Sequence, residues 1–373
     1  MYVFVIGDNY MSKEKTKKKS NKINLILCGA SFIILLAFLF FVDKPDKIFN
    51  ALRNVNPAYL GLCILTMFAY WLCESATIHS ILKPLCPAAK FSSTWYDTII
   101  GQYFNCITPS ASGGQPMQAY YFVKFGVPLG NALTALLSRF IVYQFVLTVY
   151  SVTTLVLGFK TEGQMLIEGG LMPLVFIGFT INTAVIIGLL MIALWKNGTV
   201  KAANGLITLL TKMRIVKNPM KWRLYFTREA NKFHDNFKFI KKNVWVIVKA
   251  TFFTAIQLLL YLNISYLLYC GFFPEHDMFW GRIITYQAYV QMFSAFMPLP
   301  GAMGAAELGY AGFFNKIFGD YTGAATLLWR IFTFYMPILV GIVHLLTLKR
   351  KGIDVPDKEE LSEMQNAETK KQT

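Results

Sequence analysis

Long apolar runs, set apart by short polar stretches, dominate this chain. Uncharged or nearly uncharged runs occupy residues 23–42, 58–81, 130–158, 170–195, 244–270 and 321–348. Each is at least the roughly twenty residues an α-helix needs to cross a hydrocarbon core. Two further apolar stretches are shorter and more polar. Phe91 to Ile107 carries Asp97, Gln102 and Asn105, and Ile283 to Phe296 carries Gln287 and Gln291. Each runs into a break built from helix-disrupting residues, Thr108–Pro116 (TPSASGGQP) and Met297–Glu307 (MPLPGAMGAAE). Proline inside a helix loses an amide donor and clashes with the preceding turn. In lipid a broken backbone must find partners in protein or in a water-filled cavity. The expected elements are therefore six full transmembrane helices plus two hairpins, at 91–124 and 283–316, that enter and leave on the same side.

Composition supports an all-α integral membrane protein. Of 373 residues, 55% are hydrophobic and 15% charged, and the mean hydropathy is +0.45. The net charge of +16 changes the picture because it is clustered. Six lysines stand between Lys13 and Lys22, and the connector Lys196–Lys242 holds twelve Lys and Arg against Glu229 and Asp235. A last basic cluster is Lys349–Lys351. Basic segments beside spans mark the cytoplasmic side and can touch anionic lipid. The termini and the connector are thus expected in the cytoplasm of a multi-pass cell-membrane protein, and six crossings agree with both ends on one side. No nucleic-acid motif accompanies the charge, so no nucleic-acid partner is expected.

The expected organisation is a basic tail (1–22), a first membrane half (23–195), the connector (196–242), a second membrane half (243–348) and a polar tail (349–373). In the connector, Leu206, Leu209, Leu210 and Met213 have helical spacing, as in an interfacial helix or a solvated helix under the bundle. Met11 opens a typical polar N-terminal run and is a candidate initiator. The six cysteines and four histidines show no ligand spacing, so neither a metal nor a cofactor is expected.

The two breaks look like copies of one unit. Pro109 is followed by Gly113 and then by Leu136, Leu137, Ser138 and Arg139. Pro300 is followed at the same offsets by Gly304, Leu327, Leu328, Trp329 and Arg330, so each arginine lies thirty residues beyond its proline. With six spans, one hairpin enters from each side, which is the disposition of an inverted repeat. Such repeats place sites near the bilayer midplane.

At these residues the chain resembles the lysylphosphatidylglycerol synthase transmembrane family, the flippase-like membrane domain of multiple-peptide-resistance proteins. The resemblance rests on Pro109–Gly114 with Arg139, and on Pro298–Gly304 with Glu307, Arg330 and Pro337. Ser138 and Gln144 stand where many relatives carry acidic residues. Full-length members add a soluble domain that transfers an amino acid from aminoacyl-tRNA to phosphatidylglycerol. Only about 25 residues follow the last run here, fewer than a catalytic domain needs. The resemblance implies movement of a polar lipid between leaflets, such as aminoacylated phosphatidylglycerol or another anionic phospholipid. The alternative is a phosphatidylglycerol lysyltransferase-type protein or an accessory membrane subunit of a separate lipid-modifying enzyme; the expected partners are membrane phospholipid and either such an enzyme or a second copy of this chain.

Arg139 and Arg330 are the leading site residues. Each is costly at midplane unless partnered, and each has a planar fork suited to phosphate. They either contact lipid phosphate or pair with Glu74 and Glu307. Glu74, inside its own span, carries a proton or pairs with an arginine. Glu307 either caps the second hairpin's returning helix or attracts a cationic head group. Gln102 and Gln291, each seven residues before a proline of its break, bond a head group or join helices. Pro109, Gly113, Gly114, Pro298, Pro300, Gly301 and Gly304 serve backbone geometry and close packing.

Overall fold

The structure is a computed structural model that describes residues 45–168, 172–195, 219–275, 278–294 and 301–353, together with positions 297 and 299 and isolated positions between 198 and 211. The expected first span at 23–42, the basic tail at 1–22, residues 354–373, Leu206, Leu209, Leu210, Met213, Pro298 and Pro300 lie outside the described residues. Everything regular among those residues is helical. In chain order the elements are α1 (Pro45–Asn54), α2 (Pro57–Leu85), α3 (Phe91–Ile107), α4 (Gly114–Lys124), α5 (Leu129–Glu168), α6 (Met172–Leu194), α7 (Pro219–Lys242), α8 (Val244–Phe272), α9 (Trp280–Ser294), α10 (Ala305–Phe318), α11 (Thr322–Arg330) and α12 (Met336–Arg350). A single 3-10 turn, Gly319–Tyr321, precedes α11, and a π-helical turn, Ile331–Tyr335, joins α11 to α12.

Two boundaries differ from the sequence reading. The segment holding Lys160, Glu162 and Glu168 is not a loop but the end of the 40-residue α5. Its residues are good helix formers, and the charges mark an exit from the apolar zone rather than a turn. The stretch before Asn56 contains a short helix, α1. Asn56 then starts α2 by accepting from the Ala58 amide at 3.0 Å, with Pro57 in the first helical position, where a missing amide costs nothing.

The chain has the polarity of a protein solvated by lipid. Leu65 on α2, Phe252 on α8 and Leu339 on α12 are 58–65% exposed, whereas Glu74, Asp97, Arg139, Glu307 and Arg330 are at most 9% exposed. Outward apolar faces around a polar interior are what a bilayer selects, because hydrocarbon offers no partner to a charge. Four runs are long and apolar enough to cross: Pro57–Leu85, Leu129–Thr154, Val244–Phe272 and Ala305–Arg350. α6 adds an apolar stretch at Phe176–Val185.

The two halves share one plan. A long helix (α2, α8) leads to a pair of short helices (α3–α4, α9–α10), then to a second long rod (α5, α11–α12). The leading helices α2 and α8 form the most extensive contact of the molecule. The first arm of each hairpin then crosses to the other half: α3 packs on α12, and α9 packs on α5 and α6. One join is very close, since a Cβ on Gly341 of α12 would collide with the Cβ of Tyr103 on α3 and the near edge of its ring.

Candidate functional site

Both hairpin turns adopt the same unusual backbone. The two residues after Pro109, Ser110 and Ala111, have φ of 50° and 51°; the two after Pro300, Gly301 and Ala302, have φ of 57° and 54°. Non-glycine residues rarely take left-handed φ, and they keep it where the surroundings impose it. The matching pair of angles, at matching offsets from proline, is a geometric counterpart of the repeated sequence.

The first turn is closed by its own side chain. Thr108 Oγ1 donates to the Phe104 carbonyl at 2.6 Å and accepts from the Gly113 amide at 2.8 Å. The arms then meet tightly. A Cβ on Gly114 would strike the Asn105 carboxamide and come within 2.8 Å of the Gly101 carbonyl, so only glycine fits. The second turn is closed from a distance: Arg330 Nη1 donates to the Gly301 carbonyl at 3.1 Å. Gly301 also lies under the Phe334 ring, which a Cβ there would penetrate.

Both arginines are ion-paired. Arg139 Nη2 lies 2.6 Å from Glu74 Oε1, and Arg330 Nε lies 2.7 Å from Glu307 Oε1. The carboxylates come from different elements, Glu74 from the leading helix α2 and Glu307 from the hairpin's returning arm α10. Their surroundings differ as well. Glu74 Oε2 accepts from Gln102 Nε2 of α3 at 2.6 Å and from Gln257 Nε2 of α8 at 3.0 Å. One carboxylate thereby joins α2, α3, α5 and α8. The Arg139 guanidinium lies 5.5 Å from the centre of the Tyr143 ring, whose hydroxyl receives a long 3.5 Å contact from Gln291 of α9. Gln291, predicted for the second half, thus reaches the first half's cluster.

Glu307 sits in the first turn of α10, where the helix dipole favours a carboxylate, but its Oε1 is taken by Arg330. Its Oε2 and the Nη2 of Arg330 are buried without a hydrogen-bond partner among the described residues. The Arg330 guanidinium is flanked instead by aromatic faces, Trp329 at 5.0 Å and Phe334 at 5.5 Å. This pair keeps unused polar capacity, while the Glu74 carboxylate has both oxygens occupied. Gly301 and Gly304 have positive φ, and Gly113, Gly114 and Gly301 stand where a Cβ would collide with a neighbour.

Sequence reading passed over Gln257 and Asp97 as site residues. Gln257 was marked by its position as an amide within the apolar run 244–270. Asp97 is fully buried on α3, and neither carboxylate oxygen accepts a hydrogen bond among the described residues. The nearby Gln118 amide donates to the Asp97 main-chain carbonyl instead, at 3.4 Å. No group of three or more His, Cys, Asp or Glu side chains that could hold a metal occurs among the described residues.

The family model described as "Lysylphosphatidylglycerol synthase TM region" matches residues 26–341. A UPF0104 membrane protein of Methanocaldococcus jannaschii is 26% identical over 350 residues, covering 87% of this chain and 95% of that protein. A second, from Archaeoglobus fulgidus, is 22% identical over 322 residues, covering 83% of this chain and 93% of the other. The chain belongs to the lysylphosphatidylglycerol synthase transmembrane family and is a multi-pass membrane protein.

Proposed function

We propose that this family member moves a polar lipid with an anionic phosphate between leaflets, with Arg139 and Arg330 as its phosphate-binding groups. The observation that carries this reading is the burial of two arginines inside a lipid-solvated bundle, each tied to a broken-helix hairpin. Structural ion pairing alone would not need the hairpins, since a broken helix in a bilayer is costly and is normally found where something must be admitted. The chemistry follows from the pairs. A phosphate can replace a carboxylate at the guanidinium fork with little change in charge or geometry. At Arg330 such an exchange would compete with the bond to Gly301, so substrate binding and the setting of the second turn are linked. At Arg139 the displaced Glu74 would keep its two amide donors. Exchange there leaves Glu74 hydrogen-bonded, though without its counter-charge.

Reconstitution with leaflet-specific reporters tests the reading. Liposomes containing phosphatidylglycerol, lysyl-phosphatidylglycerol or a polyprenyl phosphate should show protein-dependent flipping of at least one. Arg139→Lys and Arg330→Lys keep the charge but lose the fork, and should lower that rate at least tenfold at normal expression. Unchanged flip rates for all three lipids would instead favour an accessory subunit of a lipid-modifying enzyme. That second reading draws on the same two pairs, formed at 2.6 and 2.7 Å without any ligand.

A further inference from the structure

An open groove of about 460 Å³, lined by neither arginine, lies where the last turns of α2 meet the first turns of α8 and the start of α3. Its walls combine two kinds of side chain. Lys83, Lys249 and His79 supply positive or hydrogen-bonding groups, and Trp245, Phe253 and Phe91 supply aromatic surface. No acidic side chain lines it among the described residues. Lys83 is held in place by donating to the carbonyls of Pro87 at 2.7 Å and Ala89 at 3.2 Å, which leaves one of its three donors available. Lys249 is exposed. Trp245, 73% exposed, stands at the mouth, the position tryptophan takes at a membrane–water boundary. Phe91 packs edge-on against His79 at 5.4 Å between ring centres.

We propose that this groove is a binding site for one anionic phospholipid, separate from the translocation path. Its phosphate engages Lys249 and the remaining donor of Lys83, and an acyl chain runs along Phe253 and Phe91. Charge complementarity selects the occupant. A zwitterionic lipid would bring its own ammonium towards two lysines with no carboxylate to receive it, whereas phosphatidylglycerol carries net negative charge alone. The aromatic wall distinguishes a lipid from a free anion, because inorganic phosphate or glycerol phosphate gains nothing from Phe253. The groove's lining reaches Asn243, the residue that follows α7 and the basic connector. That is the side where sequence reading places the cytoplasmic leaflet and its anionic lipids.

Native mass spectrometry of the full-length protein, titrated with phosphatidylglycerol and separately with phosphatidylcholine, tests the site. Lys249→Gln alters an exposed side chain and should fold. It should weaken one phosphatidylglycerol binding step about fivefold, the value of one lysine near anionic lipid, and leave phosphatidylcholine unchanged. The same difference should persist in an Arg139→Lys, Arg330→Lys background, so a failed flip assay and a failed groove are told apart. Phosphatidylglycerol with brominated chains should also quench a component of the fluorescence that Trp245→Phe removes. Equal binding by Lys249→Gln and the parent would overturn the proposal. So would displacement of the lipid by glycerol phosphate at matched concentration, or quenching that Trp245→Phe leaves intact.

Discussion

The two halves repeat a turn and an arginine but connect them in opposite ways. In the first half the turn is self-sufficient, closed by Thr108, and Arg139 is committed to a carboxylate on the leading helix. In the second half the arginine itself closes the turn through Gly301 and binds a carboxylate on the hairpin's own returning arm. Glu74 is surrounded by amides from two other helices; Glu307 has the arginine and little else polar. The same repeat has thus yielded one well-satisfied cluster that binds helices together and one sparsely satisfied pair that governs a turn. What distinguishes them is the number of donors left to each carboxylate once its arginine is removed.

That difference orders the mutational effects. The largest is expected for Arg330→Gln, which strands Glu307 and frees the Gly301 carbonyl, a loss of about 3–5 kcal/mol. Arg139→Gln leaves Glu74 with two amide donors and should cost about half as much. Thermal unfolding in detergent of both variants beside the parent checks the ranking, and equal losses would erase the distinction. In the same scheme, Glu307→Gln combined with Arg330→Gln should recover much of the single-variant loss, since no buried charge is then unpaired.

Next comes Gly301→Ala, which puts a Cβ both at positive φ and inside the Phe334 ring, for about 2–3 kcal/mol. Gly301→Ala with Phe334→Leu should restore part of the lost Tm by removing the clash while the φ cost remains. Full restoration would mean that the left-handed turn is not strained. Gln257→Leu removes one donor from Glu74 and should cost about 1–2 kcal/mol. Its effect should grow when Arg139→Gln is already present, a coupling that a double-mutant cycle reads directly. The smallest effect is a gain. Ala111→Gly and Ala302→Gly relieve the same left-handed angle in the two turns and should each stabilise by up to about 1 kcal/mol. Gains of different size would locate the stiffer hairpin.

Sequence alone located the features that a bilayer makes conspicuous. Prolines and glycines interrupting apolar runs marked the hairpins, and a lone arginine in each following run marked the ion pairs, because lipid makes both costly. It named Glu74 and Glu307 as candidate partners but not which arginine takes which. Glu74 and Arg139 are 65 residues apart on different helices, and nothing in either segment states which face meets which. Gln257 and Tyr143 were legible as polar atoms in apolar runs, but only packing of α8 and α5 around α2 brings Gln257 to the Glu74 carboxylate and Tyr143 to the Arg139 guanidinium. Asp97 was visible as a charge in the first hairpin. Its burial without a hydrogen-bond donor among the described residues comes only with the packing around α3. Helix ends proved the least legible, as the extension of α5 to Glu168 illustrates, since the polar residues that end an apolar run need not end a helix.

The π-helical turn after Arg330 sets a limit on interchange between the halves. Up to the arginines they keep a common count of thirty residues from proline. Beyond Arg330 the wide turn accommodates one more residue than an α-helical turn, whereas α5 continues past Arg139 without interruption. One residue corresponds to a rotation of about 100° around a helix. A chimera that replaced the segment after Arg330 with the one after Arg139 would therefore present its buried side chains roughly a quarter-turn away from α3. The duplicated halves, though alike up to their charges, have ceased to be spare parts for one another.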